Sequence, residues 1–103
     1  AFTYLGNQAY TISSSTSTVV VGRQLSVSWN VPSGGDFDWI GFFKVTDSSE
    51  AYESRWWQYT GGAKSGTLIL DAPTTPGLYE FRYLLNDGFV DAARSATVTV
   101  TAG

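Results

Sequence analysis

Residues 24–31, QLSVSWNV, alternate polar and apolar side chains at every position. Successive side chains of a β-strand point to opposite faces, so the apolar side chains of this stretch should share one face and the polar ones the other. The stretch is therefore predicted to be a half-buried strand, and Trp29, which belongs to the apolar set, is expected in the core.

The same period of two recurs along nearly the whole chain, and no window keeps apolar residues at helical spacing for more than about one turn. Further strands are predicted at 4–12, 17–21, 38–45, 51–60, 66–72, 78–85 and 96–102. Turn-forming residues separate them at 32–35, 47–49, 61–62, 73–77 and 86–88. We predict an all-β fold, a two-sheet antiparallel β-sandwich of immunoglobulin-like type with about seven to eight strands.

The composition excludes several function classes. The net charge is −3 with 6 Lys and Arg in all, whereas nucleic-acid binding needs a clustered cationic surface. No apolar run approaches the roughly 20 residues that span a bilayer. The chain has no cysteine and no histidine, which removes disulfides, thiolate nucleophiles, Ser-His-Asp triads and most zinc sites.

The length of 103 residues fits one domain, and the 43% hydrophobic content fits a folded one. The chain starts at Ala1 without a methionine and is rich in Ser, Thr, Gly and Tyr. We expect residues 1–103 to be a single β-sandwich module, monomeric, secreted to the extracellular space and excised from a larger secreted enzyme.

Carboxylates are the remaining route to catalysis or metal binding. A glycosidase needs two of them across a cleft, and a sandwich of this size offers little depth for one, so no catalytic residues are expected. Asp36 and Asp38, together with nearby loop carbonyls, could hold a structural calcium ion, but two acids do not complete a ligand set. No other cofactor is predicted.

Aromatic side chains make up 16% of the chain and are densest in residues 52–59, YESRWWQY. Strand geometry sends Trp57 and Tyr59 to one face and Tyr52, Trp56 and Gln58 to the other. We expect Trp57 on the core side and Trp56 exposed beside an amide. Such a strip suits sugars, because a flat ring stacks on a pyranose while polar side chains bind its hydroxyls. A register slip of one residue would exchange Trp56 for Trp57.

The predicted strand 38–45 is apolar on both faces, so Trp39 and Phe43 face a ligand if Ile40 and Phe42 are in the core. Pairing with strand 51–60 would merge the two aromatic faces into one planar strip. In strand 78–85 the aromatic residues should face inward. Arg55, Glu80 and Arg82 are expected in surface ion pairs.

Several motifs together resemble a family of immunoglobulin-like modules appended to secreted bacterial hydrolases: DWIG at 38–41, WQYT at 57–60, AP at 72–73, PGLYEFRY at 76–83 and NDG at 86–88. Residues 38–45 alone also resemble the SKICH domain, an intracellular partner-binding sandwich. Among polysaccharide-binding modules the chain most resembles carbohydrate-binding module family 81, whose members are attached to an endoglucanase. That resemblance implies a planar surface for β-1,4 or mixed-linkage glucans, such as cellulose chains, and for xyloglucan. It also implies that Trp57 is scaffold, and Trp56 departs from the general pattern.

The preferred hypothesis is a noncatalytic carbohydrate-binding module that targets an attached endoglucanase to polysaccharide. Its ligand-binding residues are predicted to be Trp56, Tyr52, Trp39 and Trp57 for stacking, with Gln58 and Arg55 for hydrogen bonds. The alternative is a structural or protein-interaction module of the immunoglobulin-like type without sugar affinity. A small carboxylate enzyme is the third hypothesis.

Overall fold

The computed structural model describes residues 3–4, 10–32, 35–48 and 57–102, and within these ranges the chain forms ten β-strands and no helix. The strands are β1 (Thr3–Tyr4), β2 (Thr11–Ser14), β3 (Thr18–Val20), β4 (Gln24–Asn30), β5 (Trp39–Lys44), β6 (Trp57–Tyr59), β7 (Ser65–Asp71), β8 (Gly77–Leu85), β9 (Val90–Arg94) and β10 (Val98–Thr101). In the described part of the chain there is accordingly no helix long and apolar enough to cross a membrane.

The strands form two sheets, which confirms the predicted all-β class and two-layer architecture. The small sheet has the order β2-β4-β7. The large sheet has the order β1-β9-β8-β10-β3, and β5 pairs with both β8 and β6. Most pairs are antiparallel as predicted, but β1 pairs with β9 and β3 with β10 in parallel.

The core lies between the sheets and follows the predicted alternation. Val27 on β4 and Phe81 on β8 are fully buried, and Trp29 is buried with them. The Trp29 indole donates a hydrogen bond to the Ala63 carbonyl oxygen at 3.0 Å. Gly66 lies opposite Trp29 on β7, where an added Cβ would come within 2.8 Å of the indole. Glycine at this position therefore lets the indole lie flat across the neighbouring strand.

Strand β5 is buried on both faces. Ile40 and Phe42 belong to the core between the sheets, as expected. Trp39 and Phe43 point to the outer face of the large sheet, where they form a second apolar cluster with Leu84. The large sheet therefore carries apolar side chains on both sides along this strand.

One strand of the structure is missing from the prediction, and two predicted strands fall only partly within the described residues. Strand β9 was not predicted, because a bulge beside Tyr83 and Leu84 breaks the alternation and leaves Asp91, Ala92 and Ala93 all buried. The predicted strand 4–12 contributes β1 and the start of β2, and residues 5–9 lie outside the described residues. Of the predicted strand 51–60, only residues 57–60 fall in the described part.

Glu80 and Arg82 form an ion pair as predicted, but the pair is buried and does not lie at the surface. Both are buried, and the Arg82 Nε donates to Glu80 Oε2 at 2.8 Å. Arg94 bridges the same Glu80 oxygen at 3.0 Å and the Asp91 carboxylate, while the Arg82 guanidinium lies 4.8 Å from the Phe43 ring centre. These charges tolerate burial on the outer face because each has an opposite partner. Arg55 lies outside the described residues.

Phe81→Ala should lower the free energy of unfolding by about 3–5 kcal/mol, because it empties a fully buried ring site in the core. Leu78→Ala on the same strand is the matched control, since Leu78 is 53% exposed, and it should change stability by no more than about 0.5 kcal/mol. Urea denaturation of both variants measures the difference. Equal losses would contradict the position of the core.

Candidate functional site

An aromatic pocket lies on the outer face of the large sheet. The register places Trp39 opposite Tyr59 and Gly41 opposite Trp57, so the three aromatic side chains share this face. The turn between β8 and β9 adds Asp87 and Phe89. We call the recess lined by Trp39, Trp57, Tyr59, Asp87 and Phe89 the aromatic pocket, and its volume is about 250 Å³.

The rings of the aromatic pocket meet edge to face. Trp39 and Trp57 have centroids 5.6 Å apart at 75°, and Trp57 and Tyr59 are 5.0 Å apart at 87°. The ring centroids of Phe89 and Trp39 are 6.1 Å apart, and the two ring planes meet at 84°. This geometry is the favoured one for neighbouring rings, whose electropositive edges are attracted to electronegative faces. The expected planar strip is therefore wrong for these rings, which enclose a recess.

Two polar groups lie at the mouth of the aromatic pocket. The Tyr59 hydroxyl donates to Asp87 Oδ1 at 2.8 Å, and both side chains are exposed. Asn86 and Asp87 have positive φ angles of 55° and 57°, a conformation that Asn and Asp adopt more readily than most residues. The tight turn brings the Asp87 carboxylate back over β6, beside the rings.

The buried Asp38 carboxylate holds this end of the molecule together. Its Oδ2 accepts hydrogen bonds from the Gly35 backbone N–H and the Tyr83 hydroxyl, each at 2.9 Å. Its Oδ1 accepts from the Asn86 backbone N–H at 3.0 Å. The loop before β5 and the end of β8 with its turn are thereby fixed next to β5. The Trp39 indole N–H then donates to the Gly88 carbonyl oxygen at 3.0 Å, which ties the turn to the pocket floor.

The predicted ligand-binding residues do not all lie at one site in the structure. Trp39 lies on the predicted face, but it is only 4% exposed and forms the floor of the pocket instead of an open platform. Trp57 was expected on the core side and instead lies half-buried on the outer face. Gln58 is exposed opposite Ile40, on the side that faces the small sheet, and is not in the aromatic pocket. Trp56, Tyr52 and Arg55 lie outside the described residues.

Sequence reasoning did not assign Tyr59, Asp87 or Phe89 to a binding site. Asp87 was counted only as a turn residue and a scattered acid, and Phe89 follows directly after that turn. The available signal was the presence of three separate motifs, DWIG, WQYT and NDG, in the resemblance. Through the pairing of β5 with β6 and the hydrogen bonds to Gly88 and Asp87, all three motifs meet at the aromatic pocket.

Metal binding at Asp36 and Asp38 finds little support in the geometry. The Asp38 oxygens face N–H and O–H donors, an arrangement that anchors loops, and Asp36 is exposed. Among the described residues no group of three or more Asp, Glu, His or Cys side chains lies close enough to hold a metal ion.

No protein-family model matches the sequence, and a search of curated proteins found no match either. Among solved structures, the chain is similar to a purple acid phosphatase from yellow lupin (Lupinus luteus) seeds, with a TM-score of 0.67, 14% identity, and coverage of 92% of this chain and 22% of that one. It is also similar to the D0-D1 domain of intimin, with a TM-score of 0.53, 16% identity, and coverage of 87% and 46%.

The chain thus spans less than half the length of either solved chain. At these identities the likeness shows the fold, and it confirms the predicted immunoglobulin-like β-sandwich. Neither solved structure is described as a carbohydrate-binding module, so the resemblance to family 81 stays a prediction.

Above about pH 10 the protein should lose stability through Tyr83, because burial, with the nearby Asp38 carboxylate, raises the pKa of its hydroxyl in the folded state. The unfolded chain then releases a proton that the folded chain keeps, so the free energy of unfolding falls by up to about 1.4 kcal/mol per pH unit. Burial and Asp47 also raise the pKa of Tyr79.

Urea denaturation between pH 9 and pH 11 measures this slope, and those two values are about one unit either side of the ordinary tyrosine pKa. Tyr83→Phe is the control, which should be less stable at neutral pH but lose less stability as the pH rises. Identical slopes in the two proteins would contradict the assignment to Tyr83.

Proposed function

We propose that this chain is a noncatalytic carbohydrate-binding module that binds β-1,4 or mixed-linkage glucans, including cellulose chains and xyloglucan. The observation that carries the proposal is the aromatic pocket, in which four rings surround a recess with one tyrosine hydroxyl and one carboxylate at its mouth. In this proposal the module is secreted and holds an attached endoglucanase on polysaccharide.

The chemistry of the aromatic pocket suits an uncharged sugar. Tyr59 and Phe89 are 36% and 37% exposed, so their ring surfaces are available to the apolar face of a pyranose. Phe37 is 60% exposed, and its ring centroid lies 5.9 Å from that of Tyr59. The Phe37 ring thereby extends the apolar surface beyond the pocket. The Asp87 carboxylate and the Tyr59 hydroxyl oxygen supply acceptors for sugar hydroxyls.

The size and charge of the aromatic pocket narrow the ligand further. Pockets for drug-sized ligands measure about 300–1,000 Å³, so about 250 Å³ fits a short stretch of a longer chain better than a whole large ligand. Among the described lining residues the one charged group is a carboxylate, which disfavours phosphates, sulfates and uronic acids. A neutral glucan satisfies both conditions.

The carboxylates support a binding role without catalysis. Glycoside hydrolysis needs two carboxyl groups about 5–10 Å apart across the bond that is cleaved. Within the described lining of the aromatic pocket, Asp87 is the single carboxylate. Asp38 is buried beneath it and engaged by three donors.

The domain context also supports a tethered module. In the lupin phosphatase this fold corresponds to 22% of a larger enzyme chain, so it occurs there as one part of an enzyme. A module that binds the substrate polymer raises the effective concentration of a linked hydrolase without contributing to its chemistry.

A structural or protein-interaction role is the second candidate, because Phe37, Phe89 and Leu78 are large exposed apolar side chains of the kind that neighbouring domains bury. A panel of polysaccharides separates the two functions. If affinity electrophoresis shows that none of the glucans retards the protein, the structural or protein-interaction role is favoured. Release of reducing sugar by the isolated domain would contradict both noncatalytic functions.

Tyr59→Ala should weaken binding to soluble mixed-linkage β-glucan about fivefold or more, because it removes a ring contact of about 1 kcal/mol. Asp87→Asn should weaken binding less, since an amide still offers an acceptor to a sugar hydroxyl. Affinity electrophoresis measures both, with Leu78→Ala as the control that leaves migration unchanged. Full retention by the Tyr59 variant, with its fold intact, would exclude the aromatic pocket as the binding site.

Trp56→Ala tests the ring that the sequence singled out. If Trp56 stacks on the glucan, its loss should weaken retardation severalfold in the same gels, as expected for a removed aromatic contact. The Tyr59 variant provides the comparison, because it removes a ring of the described pocket. Unchanged retardation of the Trp56 variant would remove Trp56 from the binding site.

A further inference from the structure

A second recess of about 450 Å³ lies along the open edge of the sandwich. Here β6 of the large sheet and β7 of the small sheet are both edge strands. Leu68 and Leu70 point toward the core from β7 but stay half-buried, because no further strand of the described chain covers that edge. We call this recess the edge groove.

Four polar residues line the edge groove. They are two amides, one carboxylate and one hydroxyl, contributed by Gln24, Gln58, Asp71 and Thr74. The apolar part of the lining consists mostly of aliphatic residues, with Trp57 at its border. The groove thus offers both hydrogen-bonding groups and apolar surface over its length.

This composition selects among ligands. Among the described lining residues there is no lysine or arginine, and Asp71 contributes a negative charge, so phosphates and acidic polysaccharides are disfavoured. Amides are well suited to hydroxyls, because each offers two donors and an acceptor. An uncharged chain with many hydroxyls therefore matches the groove better than a nucleic acid or an acidic peptide.

We infer that the edge groove is a second binding site, which takes a segment of a neutral polysaccharide chain. The inference takes its ligand class from the proposed function but uses a different set of residues. Gln58, which the sequence assigned to sugar binding and which the aromatic pocket does not contain, acts here together with Gln24.

Trp57 links the two sites, because it is a lining residue of both the edge groove and the aromatic pocket. Trp39 and Tyr59 both contact the Trp57 ring edge to face on the pocket side. Residue 57 therefore lies at the boundary between the two recesses. A module with two weak sites binds a long polymer more tightly than either site alone, provided that the chain reaches both.

Amide chemical shifts recorded during titration with cellohexaose test the inference. We expect two separate sets of shifts, one around Gln58 and Asp71 and one around Asp87 and Phe89. The double variant Gln24→Ala/Gln58→Ala should weaken binding at the groove by about two- to tenfold for each lost amide and leave the pocket shifts in place. Asn30→Ala, an exposed amide on the same strand as Gln24, is the matched control and should change neither set.

The possible outcomes separate this inference from the proposed function. Groove shifts that persist in Tyr59→Ala and fade in the double amide variant support the second site, whether or not the aromatic pocket binds. Shifts confined to the aromatic pocket overturn the second site alone. Shifts at neither recess overturn both. Concentration-dependent shifts of groove residues without sugar, together with dimers in sedimentation velocity, would instead assign the edge to a second copy of the chain.

Discussion

The position of one buried carboxylate governs the end of the sandwich that carries the aromatic pocket. Asp38 accepts hydrogen bonds from Gly35 in the loop just before β5 and from Tyr83 and Asn86 at the end of β8 and in the turn after it. A buried charge is tolerated only when such donors surround it, so the loop and the distant end of β8 have to meet there. Because the next residue on an extended chain points to the opposite face, the same anchor directs Trp39 outward.

The outer face of the large sheet is packed at one end and open at the other. Around Phe43 it is closed by the paired charges of Arg82, Glu80 and Arg94. Around Trp39 it is lined by rings that meet edge to face, an arrangement that neighbouring aromatic side chains commonly adopt. A recess follows from this packing, whereas a level platform would need rings that lie parallel to the sheet.

Both recesses depend on the short strand β6. Its residues alternate between Trp57 and Tyr59 on the outer face and Gln58 toward the small sheet, so one strand supplies side chains to both. Among the described strands β6 pairs only with β5, and no described strand pairs with its other edge beside β7. An edge strand presents unpaired backbone N–H and C=O groups, which can pair with another chain.

The sequence by itself determined the two-layer β architecture and the burial of Trp29 and Phe81, because alternation along a strand is a local property that apolar residues reveal. It gave the outward direction of Trp39 only on the condition that Ile40 and Phe42 lie in the core, because both faces of that strand are apolar. Tertiary structure decided which face of β6 is outward, since Trp56 and Trp57 are adjacent and register with β5 alone selects between the two patterns. It also decided the burial of Arg82 and the contact of Tyr59 with Asp87, 28 residues apart in the chain. Such contacts arise from strand order and turn geometry. These bring together residues that are far apart in the sequence, so their contact cannot be predicted from the local sequence pattern.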